Sequence, residues 1–478
     1  MKYIPRRLAP LFWSFLAGTF GLAGCSTEVP YKVPFFNFAS SYNAAPSGSP
    51  VLLTNDAWWK RLDDRTLDKL VARALDGNID LGIARERVIE AHSNLEGVPT
   101  LGEVNPSASV RRRKGIGTNA SSTERAEAAV GINWLFDPYG SRRQQINAAG
   151  ARVEVAGAEV DAARLLLILN IANSYIDLRS NQRLLVLRHQ QLASRHRTTD
   201  LTQKLFDQGS TTRVEVARTN ALVAETQTQI PPLMAEIQSL KNQIAVLTGV
   251  APGRLDINLA GGKGQPRPNL APNIGIPADL LRNRPDIRIA ERRYYAAVSE
   301  IGVARANLYP RLSLGGSIGA ATESGNSGIE YFFGPSIVFP SLLNNSVKAR
   351  VAARHSQARQ AHEAWKSTVL SALAEIENAR LAYEGSTRSV RSAQRSATFY
   401  REARDLTRDL VERGSATIRD LIDTEEDIAD ADVVLSEARR QLGRNFVLLN
   451  ISLGAGSNVA GVQDRPVPSE VVAAVGTE

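Results

Sequence analysis

The 478-residue chain has a single cysteine, which excludes a disulfide framework and any zinc site built from several thiolates. Histidine is scarce too, with five in all. The pairs His189/His196 and His355/His362 are spaced seven residues apart, about 10.5 Å of helical rise, too far to share one metal ion. Aromatic residues make up 6% of the chain against 43% hydrophobic, so most apolar content is Ala, Leu, Val and Ile. That balance favours long helices packed through small side chains over a thick aromatic core. Long apolar runs are missing as well. Leu165 to Leu169 is an uninterrupted apolar stretch, yet nothing beyond the first two dozen residues approaches the roughly 18 that a membrane helix needs. If this chain crosses a membrane, it must do so as a closed barrel of strands. The formal charge of +8 is too mild to argue for nucleic acid. The basic run Arg111 to Lys114 reads as a solvated strand end. There is no H-E-x-x-H, no phosphate-binding loop and no G-x-S-x-G elbow. The expectation is therefore no enzyme, no catalytic residue, no bound metal and no cofactor.

What is there begins with a leader. Lys2, Arg6 and Arg7 precede a short apolar stretch from Leu11 to Gly21. Leu22-Ala23-Gly24-Cys25 then has the form of a lipoprotein processing site, with the only cysteine where lipidation needs it. Residues 1–24 read as a lipoprotein signal peptide, and Cys25 as the lipidated first residue of the mature chain. Residues 25–61 read as an extended, lipid-anchored segment. Ser26 after the cysteine is compatible with an outer-membrane destination.

The chain then repeats itself. Phe206-Asp207-Gln208-Gly209-Ser210-Thr211-Thr212 returns as Val411-Glu412-Arg413-Gly414-Ser415-Ala416-Thr417. Gly131 to Phe136 lines up with Gly334 to Phe339, and Asn105-Pro106 with Tyr309-Pro310. The three offsets agree to within two residues, which indicates a tandem duplication of one structural unit about 200 residues long. The first repeat is expected over 62–251 and the second over 278–453. A Pro/Gly-rich linker, 252–277, joins them, and an irregular tail, 454–478, follows.

Each repeat opens with a helix, Arg65 to Gly97 and then Pro285 to Leu308. Two strands follow, at about 107–113 and 128–136 in the first repeat and about 311–320 and 331–339 in the second. The strands alternate: Val130, Ile132, Trp134 and Phe136 oppose Ala129, Gly131, Asn133 and Leu135. One apolar and one small or polar face suits a barrel wall between lipid and water, and equally a half-buried sheet in a soluble domain. Two very long helices, Arg142 to Asp207 and Ser346 to Arg413, contain no proline. At about 1.5 Å per residue each spans roughly 100 Å, longer than a globular core, so they are expected to pack as coiled coil. Gly209 and Gly414 suit left-handed caps at their ends. Return helices run from Thr211 to Leu247, with Pro231-Pro232 interrupting, and from Thr417 to Leu453. Beyond Gly414, seven acids and one base lie between Arg419 and Asp432. Asp420 and Asp423, three apart, share a helix face. They are a solubilising surface or a cation-attracting ring at a constriction.

Lipidation site, duplication, paired strands and long helices together resemble the TolC-type outer membrane factors, and within them the acylated OprM- and NodT-like branch of efflux exit ducts. The most specific pieces are Leu280 to Arg288 followed by Ala290-Glu291, then Ile301 to Pro310, and Trp134 to Gly140, where Pro138 replaces a residue more often aliphatic. Gly414 to Asp423 is similar to the family's periplasmic tip. The resemblance implies an α+β membrane protein: a homotrimer with a long α-helical coiled-coil barrel and a shared 12-stranded transmembrane β-barrel, four strands per chain. It would lie in the outer membrane of a Gram-negative bacterium and extend into the periplasm. Implied partners are a periplasmic membrane-fusion adaptor and an inner-membrane RND-type transporter. The turns Gly209-Ser210-Thr211 and Gly414-Ser415-Ala416 would contact the adaptor. Asp420 and Asp423 would line the periplasmic aperture. In the first repeat Glu215 and Arg218 take those two places, so Arg218 is expected to pair with an acid of the second repeat and help hold the resting end shut. An exit duct for protein secretion and a non-porous helical lipoprotein scaffold stay open beside the efflux duct.

Overall fold

The computed structural model describes residues 29–35, 57–98, 102–114, 116, 122–260, 264–268, 284–323, 326–340 and 345–456. Cys25, residues 261–263 and 269–277 of the Pro/Gly linker, and the tail beyond 456 lie outside them. A short 3-10 turn, Trp58–Leu62, opens the described body. Then come α1 (Arg65–Gly77), α2 (Ile79–Glu96), β1 (Glu103–Lys114), β2 (Ser122–Phe136), α3 (Ser141–Asp207), α4 (Arg213–Thr228) and α5 (Ile230–Leu247). The second half gives α6 (Pro285–Ala306), β3 (Arg311–Glu323), β4 (Asn326–Val338), α7 (Ser346–Glu412) and α8 (Ile418–Ser452). No helix among the described residues is long and apolar enough to cross a membrane.

The opening helix differs from the single one expected. It breaks at Asn78, whose side chain does two jobs at once. Its Oδ1 accepts from Leu81 N at 2.9 Å and caps α2, while Nδ2 donates to Leu247 O at 3.0 Å. A short polar side chain that satisfies a helix start competes with continuation of the preceding helix. The return helix breaks at Gln229, two residues before Pro231-Pro232, as ring sterics and missing N–H groups require.

The chain divides into two compact units. One comprises Met1–Phe36, Arg87–Gly157 and Ile289–Ser367, and holds the sheet. The strands run antiparallel in the order β1-β2-β3-β4. All four are longer than alternation alone suggested. Pro106 lies inside β1 and Pro335 inside β4; both are edge strands of this sheet, where a missing ladder N–H is tolerated. Asp137 caps α3 where the sheet hands over to helix, accepting from Ser141 N at 2.6 Å and Arg142 N at 2.7 Å. Tyr139 stacks on Tyr309 at the same junction, ring centroids 4.5 Å apart. The helical part of this unit buries Val298, Ile301 and Ala358, with Tyr31 and Tyr294 packed against them.

The other unit comprises Asn37–Glu86, Ala158–Arg288 and Thr368–Glu478. Leu67, Leu70, Ile171, Tyr175, Ile176 and Phe446 are fully buried in it. The Arg284-Pro285-Asp286 stretch is a clamp here. Arg284 donates to Asp286, to Glu375 at 2.7 Å and to Ser452 O at 2.6 Å, which ties the start of α6 to α7 and to the end of α8.

Candidate functional site

Two regions carry the chemistry, and each belongs to one unit. The first is the sheet. Its register places Val104, Ile132, Gly316 and Phe333 in one row across all four strands, and Pro106, Val130, Ile318 and Tyr331 in the next. Ala108, Ala128, Ala320 and Ile329 follow, while Trp134, Leu314 and Pro335 extend the same face toward the helices. Successive side chains alternate across a strand, so these rows form one continuous apolar face. Ile132, Ile318, Ile329, Tyr331 and Phe333 on it are exposed, between 54% and 83%. The band from Phe136 to Ala126 covers ten residue steps, about 33 Å along a strand and about 25 Å when tilted by about 40°. That is the height of the lipid-facing belt of a membrane barrel.

The opposite face is small and polar. Its rows read Asn105, Gly131, Ser317 and Phe332; Ser107, Ala129, Gly319 and Glu330; Ser109, Glu127, Ala321 and Gly328. Arg125 reaches three carboxylates on this face: Glu330 at 2.9 Å, Glu127 at 3.5 Å and Glu323 at 3.7 Å.

The second region is the end of the long helices. Gly209 and Gly414 have φ of +71° and +74°, the left-handed region that only glycine enters freely. Ser210 N donates to Leu205 O and Ser415 N to Leu410 O, both at 2.8 Å, closing the two helix ends in the same way. The turns come together. Val411, Ile418, Leu421 and Ile422 form a buried cluster, and Leu201, Leu205, Leu222 and Ala416 pack against it. Gly209, Ser210, Gly414 and Ser415 themselves are exposed, with Thr211 and Ala416 half-buried.

The acids of this end have distinct jobs. Asp420 completes a capping box: Thr417 N and Oγ1 donate to its carboxylate at 2.9 and 2.7 Å, and Asp420 N donates to Thr417 Oγ1 at 3.3 Å. The Thr417 hydroxyl, then its backbone N–H, hold the Asp420 carboxyl below its ordinary value. Thr212 makes no matching side-chain cap in the first half, and Glu215 Oε2 is buried without a hydrogen-bond partner. Asp423 lies 3.8 Å from Arg218, a distance for an ion pair but not for a hydrogen bond. The pair is open to solvent, with side chains 36% and 59% exposed. Glu425, which sequence reasoning left among the solvated acids, is the buried one. It is 8% exposed and accepts from Ser194 Oγ at 2.7 Å, Thr198 Oγ1 at 3.0 Å and Arg408 Nη2 at 3.2 Å. It thereby joins α8 to α3 and α7.

Comparison with known proteins places this architecture. The family model for outer membrane efflux proteins matches the chain twice, over residues 70–250 and 276–455. The chain belongs to that family, a family of channel proteins of the Gram-negative outer membrane, and it acts in efflux. Nodulation protein T of Rhizobium leguminosarum bv. trifolii is 32% identical over 91% of this chain and 96% of its own length. The pyoverdine export outer membrane protein OpmQ of Pseudomonas putida is 27% identical over 95% of this chain and 98% of its own. The solved outer-membrane channel OprN superposes with a TM-score of 0.82 at 29% identity, covering 91% of this chain and all of that one.

Proposed function

We propose that three copies of this chain close one 12-stranded barrel in the outer membrane and continue it as a helical duct into the periplasm. The observation that carries this reading is the apolar face held in register across four strands whose two outer edges, β1 and β4, have no partner among the described residues. In hydrocarbon every unpaired backbone group costs several kcal/mol, roughly, so the edges must meet those of other copies. Four strands enclose nothing, while twelve exceed the eight whose interior side chains fill, and leave a lumen. The polar and small face then lines water. The duct conducts passively and catalyses nothing. Small molecules reach it from an inner-membrane RND-type transporter through a periplasmic adaptor, which docks on the turns at Gly209-Ser210-Thr211 and Gly414-Ser415-Ala416. Asp420 and Asp423, repeated by threefold symmetry, form a cation-attracting ring at the periplasmic aperture, with Glu215 and Arg218 beside it. Cys25 carries the lipid anchor, and intact-mass analysis of the mature N-terminal peptide is expected to find it acylated. The purified full-length protein is expected to give stepwise, long-lived currents in a planar lipid bilayer. Insertion without current steps would refute the duct.

A further inference from the structure

We propose that the polar face of the sheet holds a recognition site for organic cations that carry an aromatic ring, built from Phe332, Glu127 and Glu330. The inference rests on the barrel reading, which turns this face toward the lumen. Most of the face is Gly, Ala, Ser and Asn; Phe332 is its one aromatic side chain on the four strands. Its ring is 60% exposed. It lies over bare backbone: a Cβ added to Gly315 would sit 3.6 Å from the ring, and one added to Gly334 3.9 Å. Neither glycine carries a side chain to crowd the ring, and the residue keeps most of its surface open to solvent.

Glu330 precedes Phe332 by two residues on the same face, about 7 Å along the strand. Glu127 stands one row further toward the hairpin end, across β3. Between these side chains the wall is cut back to Ala129, Ser317 and Gly319, and a cavity of about 490 Å³ opens there. The volume suits a small organic molecule, for which pockets run from about 300 to 1,000 Å³.

The charge balance selects the sign. Glu127, Glu323 and Glu330 face one guanidinium, that of Arg125. The other bases of the face stand outside the rows of Glu127 and Glu330: Arg111 and Arg113 at the hairpin end beside Arg125 and Thr123, and Arg311 at the opposite end of β3. The carboxylates pairing with Arg125 are 41% to 64% exposed, and exposed pairs are weak, so a soluble cation competes with Arg125 for them. An aromatic quaternary ammonium satisfies the whole site: its charge meets Glu127 and Glu330, and its ring stacks on Phe332. The face of Phe332 also attracts the cation itself. A neutral aromatic keeps only the stacking, and an aromatic anion is repelled.

The test uses the full-length channel in a planar bilayer, with benzyltrimethylammonium added on the hairpin side. The expected result is reversible current block in the wild type. Glu127→Gln with Glu330→Gln, and separately Phe332→Leu, are expected to raise the half-blocking concentration about two- to fivefold, the range for an exposed cation–π contact or a partly solvated pair. Phe332→Tyr is expected to restore it. Arg125→Ala frees the acids and is expected to lower the half-blocking concentration, a gain that a misfolded variant cannot imitate. Benzenesulfonate is expected not to block. Conducting variants blocked at wild-type concentrations, or block by the sulfonate equal to that by the ammonium, would overturn the site while leaving the barrel standing. Absence of any wild-type current would overturn the barrel, and the site with it.

Discussion

Replacing Glu425 with alanine is expected to loosen the turn end of the long helices more than any exposed charge change there. The wild-type carboxylate is 8% exposed and accepts three hydrogen bonds from α3 and α7. Hydrogen bonds to a charged group contribute about 1.5–3 kcal/mol each, but they are not independent. Arg408 is 32% exposed and also lies 3.4 Å from Ser194 Oγ, so part of the loss is recovered by water and by that second contact. The net cost is about 2–4 kcal/mol, below the roughly 3–5 of a fully buried pair. At about 1.4 kcal/mol per decade, the undocked population of α8 rises roughly 30- to 700-fold. Glu425→Gln keeps one acceptor and is expected to cost about half as much. Amide hydrogen exchange of the segment Leu421 to Ile428 in the detergent-solubilised protein measures this directly. Arg218→Ala is the control: a solvent-exposed pair at 3.8 Å contributes about 0–1 kcal/mol and should move exchange less than about fivefold. Unchanged exchange in Glu425→Ala, or a larger change in Arg218→Ala, would refute this ranking.

Three further outcomes follow from the same geometry. Tyr175→Phe deletes the buried hydroxyl that donates to Asp64 at 2.7 Å and accepts from Arg179 at 2.7 Å, and should lower stability by about 1–3 kcal/mol in thermal melts. Gly414→Val forces a β-branched residue to φ near +74° at a cost of roughly 1–2 kcal/mol; export should fall while trimers still migrate as such on native gels. Asp420→Asn should matter in a pH-dependent way. A carboxyl held below its ordinary 3.8 stabilises the native cap fully above that value and loses the effect as pH falls through the depressed one. The melting difference between Asp420→Asn and wild type should therefore be full at pH 6 and shrink as the pH is taken progressively below 3.8.

Much of this was legible from residues alone, for physical reasons that differ by element. The long helices were visible because proline is absent and turn glycines stand at their ends; α3 begins at Ser141 and α7 at Ser346, each within one residue of the position expected. Alternation located the apolar cores of all four strands. It missed their polar ends, Glu103 to Pro106 and Ser122 to Glu127, because a strand that lines water on one face carries charges and glycines that read as loop. The expected solvation of Arg111 to Lys114 fits their exposure, but nothing local announced that Arg125 would meet Glu330, 205 residues away. Glu425 was the costliest miss, and a signal existed. It falls at helical spacing with Ile418, Leu421, Ile422 and Ile428, all buried, so it occupies the inward stripe of α8. Threonine three before an acid, Thr417 and Asp420, was likewise a legible capping signature.

The central claim is that the two free edges of the sheet pair between copies. Within one chain β1 and β4 are separated by two strands, about 14 Å at about 4.8 Å per step, twice the reach of a disulfide. A cysteine at Ala108 on β1, combined in turn with one at Ser327, Ile329, Tyr331 or Phe333 on the same face of β4, can therefore be oxidised only between chains. The account predicts covalent trimers on a non-reducing gel for one register of the scan, formed in outer membranes and dissolved by reductant. Monomers throughout, or dimers and open ladders without a trimer, would contradict it.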